Sequence, residues 1–214
     1  LKIGIGGLRK SNNEQYDRFK LYEIINPGEW IVERTGRKVV FRHLIKDVSG
    51  YSYCYTKCVE LTVGIPELLI THTLKNTGRK VIKTKVYNHN FLTIGHLFTD
   101  SNVVVTFPEN IVKSISDNKN RILNIDKNRV GFTRAIFPNE SVMVMNINDN
   151  PVAGSIIVEN EKLKAGVEIT SDARYSTIHF WASERTCCPE PYINIELFPR
   201  QEIDWSFKYV FYVK

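Results

Sequence analysis

Apolar and polar residues alternate with period two along most of the chain, and a sustained 3.6-residue repeat is almost absent, so the pattern predicts strands rather than helices. Val39-Val40-Phe41-Arg42-His43-Leu44-Ile45 reads as a strand and Ser49-Gly50 as a turn. Tyr51 to Leu61 is the next strand, with Tyr51, Tyr53 and Tyr55 on one face. Glu67 to Leu74 follows, the Asn76-Thr77-Gly78 turn reverses it, and Lys80 to Asn90 is expected to return as its hairpin partner. Further strands are expected at 102–107, 110–115, 141–147, 154–159, 164–170, 174–182, 192–198 and 203–213. Turn signals spaced by about ten residues predict an all-β fold, a large antiparallel β-sandwich, and not βαβ units. Residues 113–139, rich in Asn, Asp, Lys and Arg, read as a loop-rich insertion or as short edge strands. No Pro/Gly/Ser-rich boundary divides the chain, so one domain over 1–214 is expected.

Composition narrows the class. A chain of 214 residues with 43% hydrophobic and 24% charged residues is close to the globular average, which excludes disorder. No run approaches the roughly 20 apolar residues of a membrane-spanning helix. The 29 Lys and Arg against 23 Asp and Glu give a net charge of +6. These cations are dispersed, as Arg9-Lys10, Arg37-Lys38, Arg79-Lys80 and Lys162/Lys164, with no basic helix and no aromatic-basic RNA motif. That argues against nucleic acid or a membrane as partner and is compatible with a small anionic ligand such as a sugar phosphate. Lys208 and Glu184 read as surface charges.

The four cysteines are too few for a disulfide scaffold. Cys187 and Cys188 are adjacent, while Cys54 and Cys58 fall four apart on one face of a strand, without the approach a disulfide needs. They read as reduced core thiols. A zinc site with His179 is the sharper alternative, but neither spacing is that of the usual CxxC pairs. Reduced thiols and the lack of a signal-peptide pattern at Leu1 favour a cytoplasmic protein, and the absent Met is consistent with residues preceding Leu1.

Two clusters invite chemistry. In Tyr87-Asn88-His89-Asn90-Phe91 the two asparagines point to one side of a strand and His89 to the other. His89 is then either a structural histidine bonded to a backbone carbonyl or an acid/base group aimed into a cleft. In Arg185-Thr186-Cys187-Cys188-Pro189-Glu190-Pro191-Tyr192 the prolines stiffen the segment around Glu190, which is either an exposed loop carboxylate or a rigidly held base. Gly4-Ile5-Gly6-Gly7 lacks the spacing of a nucleotide-phosphate loop, and a close backbone approach or a bulge accounts for its glycines. His72 reads as a packed strand residue. His96, just beyond His89, is a candidate ligand contact, and Trp181, which shares a strand face with His179, is either a core aromatic or a sugar-stacking platform.

Together these residues resemble the galactose mutarotase-like (aldose 1-epimerase) superfamily. Leu69 to Gly78 followed by Tyr87-Asn88-His89-Asn90-Phe91 is similar to the family's strand ending in Asn-His-x-(Tyr/Phe)-(Phe/Leu). Cys188-Pro189-Glu190, then Phe198-Pro199-Arg200-Gln201-Glu202 and an aromatic closing strand, is similar to its Cys-x-Glu segment and Pro-Gly-Glu turn. The resemblance runs from about Gly4 to the C-terminus, and family members are usually longer at the N-terminal end. It implies a supersandwich fold lacking N-terminal strands and a small-molecule carbohydrate ligand, and it sets no oligomeric state. It implies catalysis by His89 as general acid at the ring oxygen and Glu190 as base at the anomeric hydroxyl, on opposite sides of a sugar in a shared cleft, with no metal or organic cofactor. Asn88, Asn90, His96 and Trp181 would line the site. The chain departs from the pattern at Ile5, where many mutarotases carry a histidine, so Arg9, Lys10 or His43 would have to substitute as substrate contacts. A non-catalytic carbohydrate-binding or structural sandwich is the alternative that this departure favours.

Overall fold

β-Branched and aromatic residues at alternate positions fold into strands throughout, and in a computed structural model the described residues contain no helix. Those residues are 1–10, 13–17, 20–111, 115–117 and 121–214, with 115–117 described by their backbone alone. The strands are β1 Gly7–Leu8, β2 Ile24–Asn26, β3 Glu29–Arg34, β4 Lys38–Val48, β5 Tyr51–Leu61, β6 Glu67–Asn76, β7 Ile82–Tyr87, β8 Val103–Thr106 and β9 Ile115–Asp117. They continue as β10 Leu123–Asp126, β11 Arg129–Phe132, β12 Ser141–Val144, β13 Ile156–Asn160, β14 Ala165–Ser171, β15 Thr177–Ser183, β16 Thr186–Leu197 and β17 Glu202–Val213. A ten-stranded sheet has the order β10-β11-β8-β13-β14-β17-β6-β5-β4-β3, a five-stranded sheet the order β7-β16-β15-β12-β9, and β1 pairs with β2. The chain divides into two compact units, one of 1–61, 70–84 and 195–205, the other of 62–69, 85–194 and 206–214.

In the first unit, β4 and β5 form the expected hairpin, turning through Ser49 and Gly50, both at positive φ. Tyr53 is buried on β5, whereas Tyr51 and Tyr55 are half-buried. His72 packs as expected, its ring stacked on Trp205 at 4.8 Å and its Nδ1 2.8 Å from the Tyr55 hydroxyl. The glycine-rich start is a close approach. A Cβ on Gly6 would lie 2.2 Å from the Asn26 carbonyl oxygen, and the β1–β2 register shifts between Gly7 and Leu8.

The segment after the Asn76 turn departs from expectation. β7 does not pair with β6; it joins the five-stranded sheet beside β16. Asn76 explains the change of sheet. Its fully buried amide donates to the carbonyls of Lys80 and Leu197, both at 2.8 Å, and its Oδ1 accepts from Gly78 N at 3.0 Å. One side chain thus ties the reversal to the end of β16, and Lys83 pairs with Glu196 on that strand at 3.3 Å.

In the second unit the two sheets pack face to face. Ile178, Phe180 and Ala182 alternate inward from β15, and Phe180 meets Phe107 and Phe132 at ring distances of 6.0 and 6.4 Å. Burying a side chain of this size contributes about 1.5–3 kcal/mol. Thr177, His179, Trp181 and Ser183 occupy the opposite face of β15. The polar region beyond 113 supplies β10 and β11 at one edge of the large sheet. Of the strand expected at 110–115, residues 112–114 lie outside the described residues; β9 begins at Ile115.

Candidate active site

The site begins with register. β15 and β16 pair so that His179 lies opposite Glu190, Trp181 opposite Cys188 and Thr177 opposite Tyr192, and Met143 on β12 lies opposite Trp181. Alternation puts Cys188, Glu190 and Tyr192 on the face that carries His179 and Trp181.

Glu190 is neither exposed nor in a loop. Thr186–Leu197 is one continuous strand, and Glu190 has 6% of its surface exposed. The prolines are tolerated because of the side they face. Cys187 exchanges both backbone hydrogen bonds with Leu92, so the alternate residues Pro189 and Pro191 turn their backbone groups to that same flank, where β7 has already ended at Tyr87. There the Asn90 side chain replaces a strand partner, its Nδ2 donating to the Pro189 carbonyl at 2.9 Å.

His89 lies on the extended segment after β7. Asn88 Nδ2 donates to the Tyr209 hydroxyl at 3.0 Å, and that hydroxyl donates to Asn90 Oδ1 at 2.7 Å. The amides on either side of His89 are thereby fixed inward. The imidazole turns the other way and stacks on Phe91 at 4.2 Å, with Tyr87 at 5.7 Å. Its Nδ1 lies 2.9 Å from Cys188 Sγ and its Nε2 3.4 Å from Glu190 Oε1. The second carboxylate oxygen, Oε2, accepts from the Tyr192 hydroxyl at 3.2 Å. His89 and Glu190 therefore share a face but touch each other, with no gap of a sugar's width between them. The exposures differ sharply: 42% for the His89 side chain and 8% for that of Glu190.

Protonation follows from the surroundings. Burial, reinforced by the Glu190 charge, pushes the Cys188 thiol far above its ordinary value, and burial pushes Cys187 up to about 12. Cys188 is then a thiol at neutral pH, with His89 Nδ1 at 2.9 Å and Glu190 Oε1 at 3.9 Å from its sulfur. The arrangement puts an imidazole and a carboxylate in contact, the imidazole open to solvent and the carboxylate rooted in a strand. His89, Cys188 and Glu190 also bring nitrogen, sulfur and oxygen ligand atoms within 4.8 Å of one another.

The remaining candidates have different surroundings. Trp181 is half-buried and meets the Phe91 ring edge-on at 6.0 Å, which puts it in the same aromatic surround. His96 occupies an exposed turn at φ 57°, and its carbonyl accepts from Arg185 at 3.2 Å. Arg9, Lys10 and His43 belong to the first unit. Arg9 pairs with Glu23 at 3.1 Å, and Lys10 donates to the Glu14 carbonyl. His43 has no exposed surface, with Nε2 on the Pro27 carbonyl, Nδ1 on the Tyr53 hydroxyl and Trp30 stacked over the ring, so its ring has no open side for a ligand. The zinc alternative through His179 is not formed: its Nδ1 accepts from Asn146 N at 3.0 Å. Sequence reasoning missed Tyr192, Tyr209 and the role of Cys188; reading 186–197 as a strand would have put Cys188, Glu190 and Tyr192 on one face.

No protein-family model matches the sequence and no curated protein matches it, whereas solved structures do. A galactose mutarotase-like protein from Lactobacillus casei aligns over 98% of this chain and 83% of its own, with a TM-score of 0.62 at 14% identity. A galactose mutarotase related enzyme from Lactobacillus acidophilus aligns over 98% and 81%, with a TM-score of 0.60 at 13% identity. An aldose epimerase homologue from C. elegans aligns over 99% and 81%, with a TM-score of 0.59 at 12% identity. At such identities the likeness concerns the path of the backbone, and the large antiparallel sheets described above agree with it. The fold of this chain is the galactose mutarotase-like β-sandwich.

Proposed function

We propose that the chain binds a small carbohydrate and interconverts the α and β anomers of an aldose. The observation that carries this reading is the His89–Glu190 pair, an exposed imidazole and a buried carboxylate 3.4 Å apart among Tyr87, Phe91, Trp181 and Tyr192. Aromatic rings offer the apolar faces on which sugars stack. A sugar entering the site would separate the pair by swinging out the His89 ring, the more exposed partner.

Protonated His89 then gives its proton to the ring oxygen as Glu190 takes the proton of the anomeric hydroxyl. The bond between C1 and the ring oxygen breaks and the aldehyde forms. Rotation about C1–C2 presents the other face, the two proton transfers run backwards, and the ring closes as the other anomer. Paired transfer avoids a fully charged intermediate. Tyr192 and the Asn90–Pro189 bond hold the carboxylate in place, and Asn88, Asn90 and Tyr209 hold the segment that bears His89.

The closed contact between His89 and Glu190 favours a second reading, a domain that binds carbohydrate without turning it over. His89→Ala separates the two. On the catalytic reading, anomer exchange measured by NMR falls at least about a hundredfold, with modest loss of sugar binding; on the binding reading, neither wild type nor variant accelerates exchange.

A further inference from the structure

His89, Cys188 and Glu190 are more than an acid and a base. We infer that these three side chains bind one divalent cation of the zinc class, and that the bound ion takes the pair out of acid/base chemistry.

The donor set is the first argument. Thiolate, imidazole and carboxylate together suit a borderline-soft ion such as Zn2+ or Co2+ and do not suit Mg2+ or Ca2+, which take oxygen ligands. Geometry is the second. Zinc bonds of about 2.0–2.3 Å in a tetrahedron separate ligand atoms by about 3.3–3.8 Å. Glu190 Oε1 lies 3.4 Å from His89 Nε2 and 3.9 Å from Cys188 Sγ, so both of its separations fall close to that range. The third ligand, His89, turns Nδ1 to Cys188 Sγ at 2.9 Å and must rotate to bring Nε2 onto a shared ion, which its ring, with 42% of the side chain exposed, has room to do. Rigidity is the third argument. Cys188 and Glu190 alternate on one face of β16, fixed in register against β15, and the Tyr192 hydroxyl orients the carboxylate through the oxygen not directed at His89. The exposed side of His89 leaves the fourth position to water or a ligand. On binding, the thiol proton is released to solvent and the ion takes its place on sulfur.

The cation site itself does not depend on the mutarotase reading; only its inhibitory consequence does. Titration of the reduced, metal-free chain with Co2+, without sugar, reads the site directly, because a thiolate bound to Co2+ gives a charge-transfer band in the near ultraviolet. The band is expected to saturate at one ion per chain, to vanish in Cys188→Ser and to persist in Cys54→Ser. His89→Ala, which alters an exposed ring, is expected to weaken binding at least tenfold, so the test stands even if Cys188→Ser folds poorly. No band in the wild type, a band surviving in folded Cys188→Ser, or unchanged affinity in His89→Ala would overturn the proposal. Equimolar Zn2+ should then suppress anomer exchange and a chelator restore it. Absence of exchange at all metal levels counts against the mutarotase reading, while the Co2+ band reports on the cation site alone.

Discussion

At residue scale, the single hydroxyl of Tyr209 accepts from Asn88 and donates to Asn90, and so holds both neighbours of His89. Burial pushes its phenol up to about 12, so it remains a donor through the neutral range. Tyr209→Phe is therefore expected to leave the fold intact and to lower anomer exchange by about tenfold to a hundredfold through misplacement of His89. Sugar affinity should stay within about threefold. An unchanged rate in the folded variant would remove Tyr209 from the positioning of the site. In the sequence, the polar run Asn88-His89-Asn90 and the prolines around Glu190 draw attention to these two residues, and the family resemblance supplies the roles proposed for them. Tyr209 has no such signal. It lies 119 positions from Asn90, and nothing in the alternation of the last strand marks which tyrosine turns its hydroxyl to a bond.

At the scale of elements, hydrophobic period located most strands but not their partners. β13, β15 and β17 follow the expected alternation closely, since each has one buried face. β7 was expected beside β6 and pairs with β16, because period two identifies a strand and says nothing about its neighbour. β16 was hidden by Pro189 and Pro191, whose missing donors are harmless only because they face the flank where Asn90 stands in. β3 was overlooked because Glu29–Arg34 is mostly exposed and carries little apolar alternation. The Asn76 turn was recognised as a turn, though not as the device that redirects the chain. Its three side-chain hydrogen bonds, two of them to carbonyls, predict that Asn76→Ala lowers the free energy of unfolding by about 2–3 kcal/mol in urea titrations. A loss below about 0.5 kcal/mol would mean that the Lys80 and Leu197 carbonyls find other donors.

Across the whole molecule, antiparallel sheets with dispersed surface charge account for the class read from composition. Ion pairs contribute at the margin. Glu159 is the clearest case: hydrogen bonding to Lys214, assisted by Tyr212, holds its carboxyl below the ordinary value despite partial burial. A carboxyl lowered in the folded state stabilises it fully above the ordinary value of about 4.5, and that contribution is lost as the pH falls through the folded value. Glu159→Gln should therefore cost up to about 1 kcal/mol at neutral pH, Lys214 being largely exposed, and nothing at about pH 2. Equal urea midpoint differences at both pH values would contradict this. Magnetisation-exchange NMR between the anomers of glucose, galactose and their 6-phosphates reads the proposed anomer exchange itself. Exchange that depends on the protein and disappears in Glu190→Gln is expected; exchange that survives in Glu190→Gln, or none with any of these sugars, would rule out the proposed activity.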